Sequence, residues 1–94
     1  MSATAKVVLS WNETNPGWTA ATVVQKHEQQ NNGVSVAESA NRQAGSGFDP
    51  FPVIWHTLNA CARDLDCHPG RIEVTILVES SEIEEIIRRQ PLRG

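Results

Sequence analysis

Residues 71–79 alternate. Ile72, Val74, Ile76 and Val78 fall on one side, and Glu73, Thr75 and Glu79 on the other. A period of two with β-branched residues on one face predicts a half-buried strand. Gly70 after Pro69 marks its start. Leu77 interrupts the polar side and asks for cover from another element.

Two helices are predicted around this strand. Before it, Ile54, Leu58, Cys61 and Leu65 recur at four, three and four residues, the helical period. Asp49 suits an N-cap and Pro50 the first helical position, although Pro52 disfavours helical geometry at Phe51. The predicted span is 50–66, ending by Cys67 to Pro69. After the strand, Ser81 and Glu84 have capping-box spacing, and Ile83, Ile86 and Ile87 form one apolar stripe. Glu84–Arg88 and Glu85–Arg89 are i,i+4 pairs in the favoured order, and Pro91 ends the segment, so a helix is predicted over 81–90.

The N-terminal half is less explicit. Lys6 to Trp11 alternates, with Val7, Leu9 and Trp11 on one side, and reads as a strand. Asn12 to Gly17, rich in Asn, Pro and Gly, reads as a turn. In 18–30, Trp18, Thr19, Thr22, Val23 and Val24 favour a strand, while Pro16 and Asn31-Asn32-Gly33 punctuate it like a helix. In 35–44, Ser35 and Glu38 form a second capping box, Val36, Ala40 and Ala44 share a helical face, and Gly45 suits a helix end. A helix is therefore favoured there. The alternative is a hairpin through Asn32-Gly33 into Val34-Ser35-Val36. Gly45 to Phe48 reads as a flexible joint.

These elements predict one small α+β domain over 1–94. Its sheet is mainly antiparallel, with strands near 6–11 and 71–79 and, if the ambiguous segments are extended, 18–27 and 34–40. Helices near 50–66 and 81–90 lie on one face. With only two strands the sheet is marginal alone, and a homodimer that joins sheets or buries tryptophan faces is then expected.

Composition narrows the function. The chain has 94 residues, 39% hydrophobic and 20% charged, which fits one domain with a thin core. No run reaches the roughly 20 apolar residues of a membrane span, and Met1 to Lys6 has no basic region followed by an apolar block. A cytoplasmic setting with reduced thiols is expected. The net charge of −3 falls wholly after residue 48, which argues against a general nucleic-acid binder.

Candidate chemistry is sparse. His56 lacks a nearby carboxylate or nucleophile; Asn59 at i+3 supplies neither. Cys61, Cys67 and His68, even with His27 and His56, do not have structural-zinc spacing, and Cys61 belongs to the apolar stripe. A Cys61–Cys67 bridge would span a helix end beyond disulfide reach. Gly45-Ser46-Gly47 lacks the lysine of a phosphate loop, and Asp49 would repel phosphate. No catalytic residue, metal ligand or cofactor is assigned.

The tryptophans stand out: Trp11, Trp18 and Trp55 exceed what a core this size needs, and Trp18 beside the Asn-Pro-Gly loop is the one expected at a surface. Glu82 and Glu85, with Glu79 and Glu84, would offer acids to a basic partner. The favoured function is a non-enzymatic binding or regulatory protein (an inhibitor, immunity factor or mobile-element accessory) acting through a protein–protein surface. Trp18, Trp11, Glu82 and Glu85 are its expected contact residues. The rival is a helix-turn-helix-like nucleic-acid regulator over 18–66, although its third helix begins Asp49-Pro50-Phe51-Pro52 without a base-reading donor. A small enzyme or ligand-binding domain using His56 comes third.

Overall fold

The computed structural model describes residues 2–79. Its elements are β1 (Ser2–Asn12), β2 (Gly17–Gln30), β3 (Gly33–Ala44), α1 (Phe51–Asp64) and β4 (Ile72–Glu79), with one 3-10 turn at Pro69–Arg71. The four strands form one mixed sheet in the order β3-β2-β1-β4. β1–β2 and β2–β3 are antiparallel, and β1–β4 is parallel. The fold is the expected α+β class. The predicted helix over 81–90, with Glu82 and Glu85, lies outside the described residues.

The first turn follows the sequence reading. Asn12 Oδ1 accepts from the amides of Thr14 (3.1 Å) and Asn15 (3.3 Å), a side-chain-closed turn. The favoured helix over 35–44 is corrected: this segment is β3, an edge strand paired along its length with β2. The turn joining them is Asn31-Asn32, and Gly33 follows at φ +132°, a conformation open to glycine. The ambiguous 18–30 lies within β2. The three helices required by the nucleic-acid reading over 18–66 are therefore not formed; two of them are strands. Four strands also remove the premise from which a homodimer was expected.

β3 and β4 both run parallel to β1, so β3–α1–β4 is a crossover that carries the chain from one sheet edge to the other. α1 lies on one face, over β2 and β3. The face beneath it carries Ala3, Ala5, Val7 and Leu9 of β1, and Ala20, Thr22 and Val24 of β2, all buried. Small side chains on the strands let the helix approach closely. Val53, Ile54, Leu58, Cys61 and Ala62 fill the space from above.

The core divides into two apolar clusters. Ala3, Ala5, Val24, Leu58, Cys61, Ala62 and Ile72 form one; Val7, Leu9, Ala20, Val53 and Ile54 form the other. Between them Thr22 and Thr57 meet, Oγ1 to Oγ1 at 2.7 Å, both hydroxyls buried. Thr57 Oγ1 lies 3.1 and 3.0 Å from the carbonyls of Val53 and Ile54. Each hydroxyl has one proton and the carbonyls can only accept, so both protons are satisfied when Thr57 donates to its own helix and Thr22 donates to Thr57.

Both helix ends are held. Asp49 Oδ1 accepts from the Phe51 amide at 3.0 Å, although Pro50, not Asp49, is the N-cap. At the C-terminus the Cys67 amide donates to Ala62 and the Asp66 amide to Arg63, with Asp66 left-handed at φ +52°, which is a Schellman closure. Lys26 Nζ reaches across from β2 to the carbonyl of Leu65 at 2.9 Å and pairs with Glu28 at 3.1 Å. A cation at that end also complements the helix dipole.

The far face of the sheet carries no helix among the described residues. Leu77 lies there, exposed, without the cover expected for it. On the helix side, no helix among the described residues lies over the row continuing β4. Ile72 is buried, but Val74, Ile76 and Val78 keep 39–44% of their surface exposed.

Candidate interaction surface

The two tryptophans expected at the interface are brought together by strand register. Trp11 pairs with Trp18 across β1 and β2, and their rings meet edge-to-face at 5.2 Å. Both point to the helix side, beyond the N-terminus of α1. Trp18 packs on the cluster of Val7, Leu9, Ala20, Val53 and Ile54 and is half-buried. Its Nε1 donates to the Phe48 carbonyl at 3.0 Å. Trp18 is thus a support for the surface and only in part its outer layer.

The connection from β3 to α1 builds that outer layer. Gly45 donates to the Trp18 carbonyl at 2.7 Å and Gly47 to the Pro16 carbonyl at 3.1 Å, so the joint is bonded to the start of β2. A Cβ at Gly17 would run into the Gly45 carbonyl, so the close approach needs glycine there. Gly47, at φ +87°, turns the chain back. Phe48 then stacks on Trp11, centroids 5.4 Å apart and planes 16° apart.

Phe48 remains 82% exposed, and Phe51 and Trp55, one turn apart on α1, are 70% and 54% exposed. Trp11, Trp18 and Phe48 together make an aromatic corner at one end of the sheet, and exposed Phe51 follows Phe48 by three residues at the start of α1. Beside it, on the far face, an open depression of about 520 Å³ is lined by Ser10, Asn12, Glu13, Arg42 and Glu79 among others, giving the corner a polar flank. Phe48 and Phe51 were not among the residues singled out from the sequence. A usable signal existed: Phe51 and Trp55 are four apart and lie to one side of the Ile54-Leu58-Cys61-Leu65 stripe.

The remaining candidates stay apart. His56 projects from the exposed side of α1. His27 sits on β2 opposite Ser2 and Val36. His68 Nδ1 accepts from the Gly70 amide at 3.0 Å, closing the 3-10 turn. Cys61 is buried, its thiol 3.8 Å from the Thr22 carbonyl, and Cys67 is half-buried; both are free thiols. Burial pushes the Cys61 thiol up, against the Ser39 hydroxyl, with Asp64 and Cys67 adding to the rise. Among the described residues no group of three or more His, Cys, Asp or Glu is placed to hold a metal ion. No helix there is long and apolar enough to cross a membrane.

Comparison of the chain with protein-family models, curated proteins and solved structures returns no match.

Proposed function

We propose that this protein is a non-enzymatic binding module that engages a protein partner through the aromatic corner, as inhibitors and accessory factors do. Phe48 and Phe51 are the contact residues; Trp11 and Trp18 hold Phe48 in place, and α1 carries Phe51. The observation that carries the reading is the exposure of Phe48 and Phe51 in a small domain whose core is built largely of Ala, Val and Thr. Large aromatics are the side chains a thin core would use first. Left in water as a group, they mark an interaction site, and aromatic anchors dominate binding energy at interfaces. Burying a ring of this size contributes about 1.5–3 kcal/mol, so two are enough for a hot spot. The partner's matching surface is an apolar groove or ridge, with polar groups facing Glu13 and Arg42 at the edge.

The test is affinity capture from the cells that make the protein, comparing wild type with Phe48→Ser/Phe51→Ser. Both chains are first matched for thermal unfolding. A protein retained by wild type and depleted at least about tenfold by the variant supports the proposal, since two lost anchors exceed 1.4 kcal/mol. Equal recovery with both chains removes the corner from the case.

A further inference from the structure

We propose that β3 is a homodimer interface: two copies of this chain pair antiparallel along their β3 edges, with Ala40 on the two-fold axis. β3 is the sheet edge opposite β4, and no described strand pairs with its outer side. Natural sheets guard such edges with proline, lysine, bulges or short strands. β3 has none of these. It runs 12 residues without Pro or Lys, and its register with β2 is unbroken from Gly33 to Ala44. The ladder fixes the direction of its free groups. The Gly45 amide donates to Trp18 of β2, so the odd-numbered residues bond inward and the even-numbered ones point outward. Val36, Glu38, Ala40, Arg42 and Ala44 therefore offer their N–H and C=O groups to a second strand. The sheet is complete without that strand, so the pairing does not rest on a shortage of strands.

Charge selects both the occupant and the register. Glu38 and Arg42 are the only charges on β3, and among the described residues neither is ion-paired. An antiparallel copy centred on Ala40 sets Glu38 opposite Arg42 of the other chain, twice, and exposed Val36 opposite Ala44. Gln25 holds one Glu38 oxygen at 3.0 Å, which leaves the other for the guanidinium. Centring on Glu38 or on Arg42 would instead oppose like charges. In the favoured register the two edges exchange roughly ten backbone hydrogen bonds. β4, the other edge, carries only acids, Glu73 and Glu79, which a second copy centred on Ile76 would set against each other.

The helices agree with this axis. α1 lies over β2 and β3, about one strand spacing from the axis, so the two helices run about 10 Å apart, the distance of packed helices. Thr57 and Cys61 stand over Thr22, whose partner on β3 is Asn41, next to Ala40. Val53 faces β3, lying 3.4 Å from where a Gly45 Cβ would be, and Ala60 is turned only about 20° from it. Ala60 therefore faces the axis, where its small side chain permits the approach and sets His56 opposite Asp64 of the other copy. Phe51 is turned about 160° from Val53, away from this edge, and Phe48 stacks over β1, so both contact residues stay free. Arg42 also borders the depression beside the aromatic corner, and one carboxylate leaves it donors for that flank. The hairpin tip at Asn31-Asn32 runs past the end of the other copy's β3.

Charge reversal tests this. Sedimentation and native mass spectrometry of the chain should show a dimer. Glu38→Arg and Arg42→Glu should each weaken it at least about tenfold, because both cross-strand pairs become like-charged. Mixing the two variants should restore a dimer with one copy of each, since every pair is then opposite in sign. Ala40→Pro removes an outward N–H and no bond to β2, so it should keep the native circular dichroism and lose the dimer. In a mixed-label wild-type sample, isotope-filtered NMR should show Hα contacts between Ser39 and Asn41 of different copies, a close pair in this register. A chain still monomeric at about 1 mM overturns the proposal. So does a dimer that survives both reversals and Ala40→Pro, or a mixture that dimerises no better than its two variants alone; the copies would then meet elsewhere.

Discussion

Replacing Thr57 with valine should be far more damaging in the native chain than in a chain that already lacks the Thr22 hydroxyl. Thr22 and Thr57 are 1% and 0% exposed, and the Thr22 proton goes to Thr57. Thr57→Val therefore strands a buried hydroxyl, which costs about 1–3 kcal/mol. It also places a methyl where an oxygen stood 2.7 Å from its neighbour. Carbon contacts need roughly 3.5 Å or more, so crowding adds to the cost. The sum is about 2–4 kcal/mol. In a Thr22→Ala background the stranded hydroxyl is gone and the vacated space accepts the methyl. The same substitution should then cost under about 1 kcal/mol, a coupling of at least 1–2 kcal/mol within the range for contacting residues. Urea unfolding of the four chains, followed by tryptophan fluorescence, measures this. An equal cost of Thr57→Val in both backgrounds would refute the hydrogen-bonded seam between helix and sheet.

Asp66 holds a left-handed φ of +52° at the C′ position of α1, where glycine is favoured. Asp66→Gly should raise stability by about 0.5–1 kcal/mol in thermal or urea unfolding, and a loss would contradict the cap assignment. Burial raises the Cys61 thiol above its unfolded value, so the folded state keeps the proton longer. The associated stability is present below the unfolded pKa of about 8.5 and lost as pH climbs toward the folded value. Wild type should lose stability more steeply than Cys61→Ser above that pH, and at pH 8 an alkylating reagent should modify Cys67 first; reversal of the order would place Cys61 at the surface.

Legibility of the fold varied by element, for physical reasons. β4 and α1 announce themselves because Ile72-Val74-Ile76-Val78 fits only period two and Ile54-Leu58-Cys61-Leu65 only period 3.6. Val36, Ala40 and Ala44 are four apart, and a spacing of four keeps residues on one face in both a helix and a strand. In β3, where strand pairing decided, they line the far face, and Glu38 of the apparent capping box accepts a hydrogen bond from Gln25 across the ladder at 3.0 Å. The parallel pairing of β1 with β4 has no signature in either strand; it follows from the crossover that α1 makes. At the surface, loop proximity suggested Trp18, but register set it against Trp11 and the Phe48 carbonyl fixed its ring. Phe48 and Phe51 became the exposed pair because the Gly47 turn sends the chain back over Trp11 before α1 begins.

The claim that the aromatic corner is a binding surface is tested most directly by a photo-crosslinker in place of Phe48. Protein carrying benzoylphenylalanine at position 48 is produced in the cells that make it and irradiated. A control places the same group at Asn31, at the hairpin tip about 40 Å along the sheet. The expected result is a covalent adduct of one defined mass from position 48 and none from position 31. No adduct from position 48, or the same proteins captured equally from both positions, would contradict it.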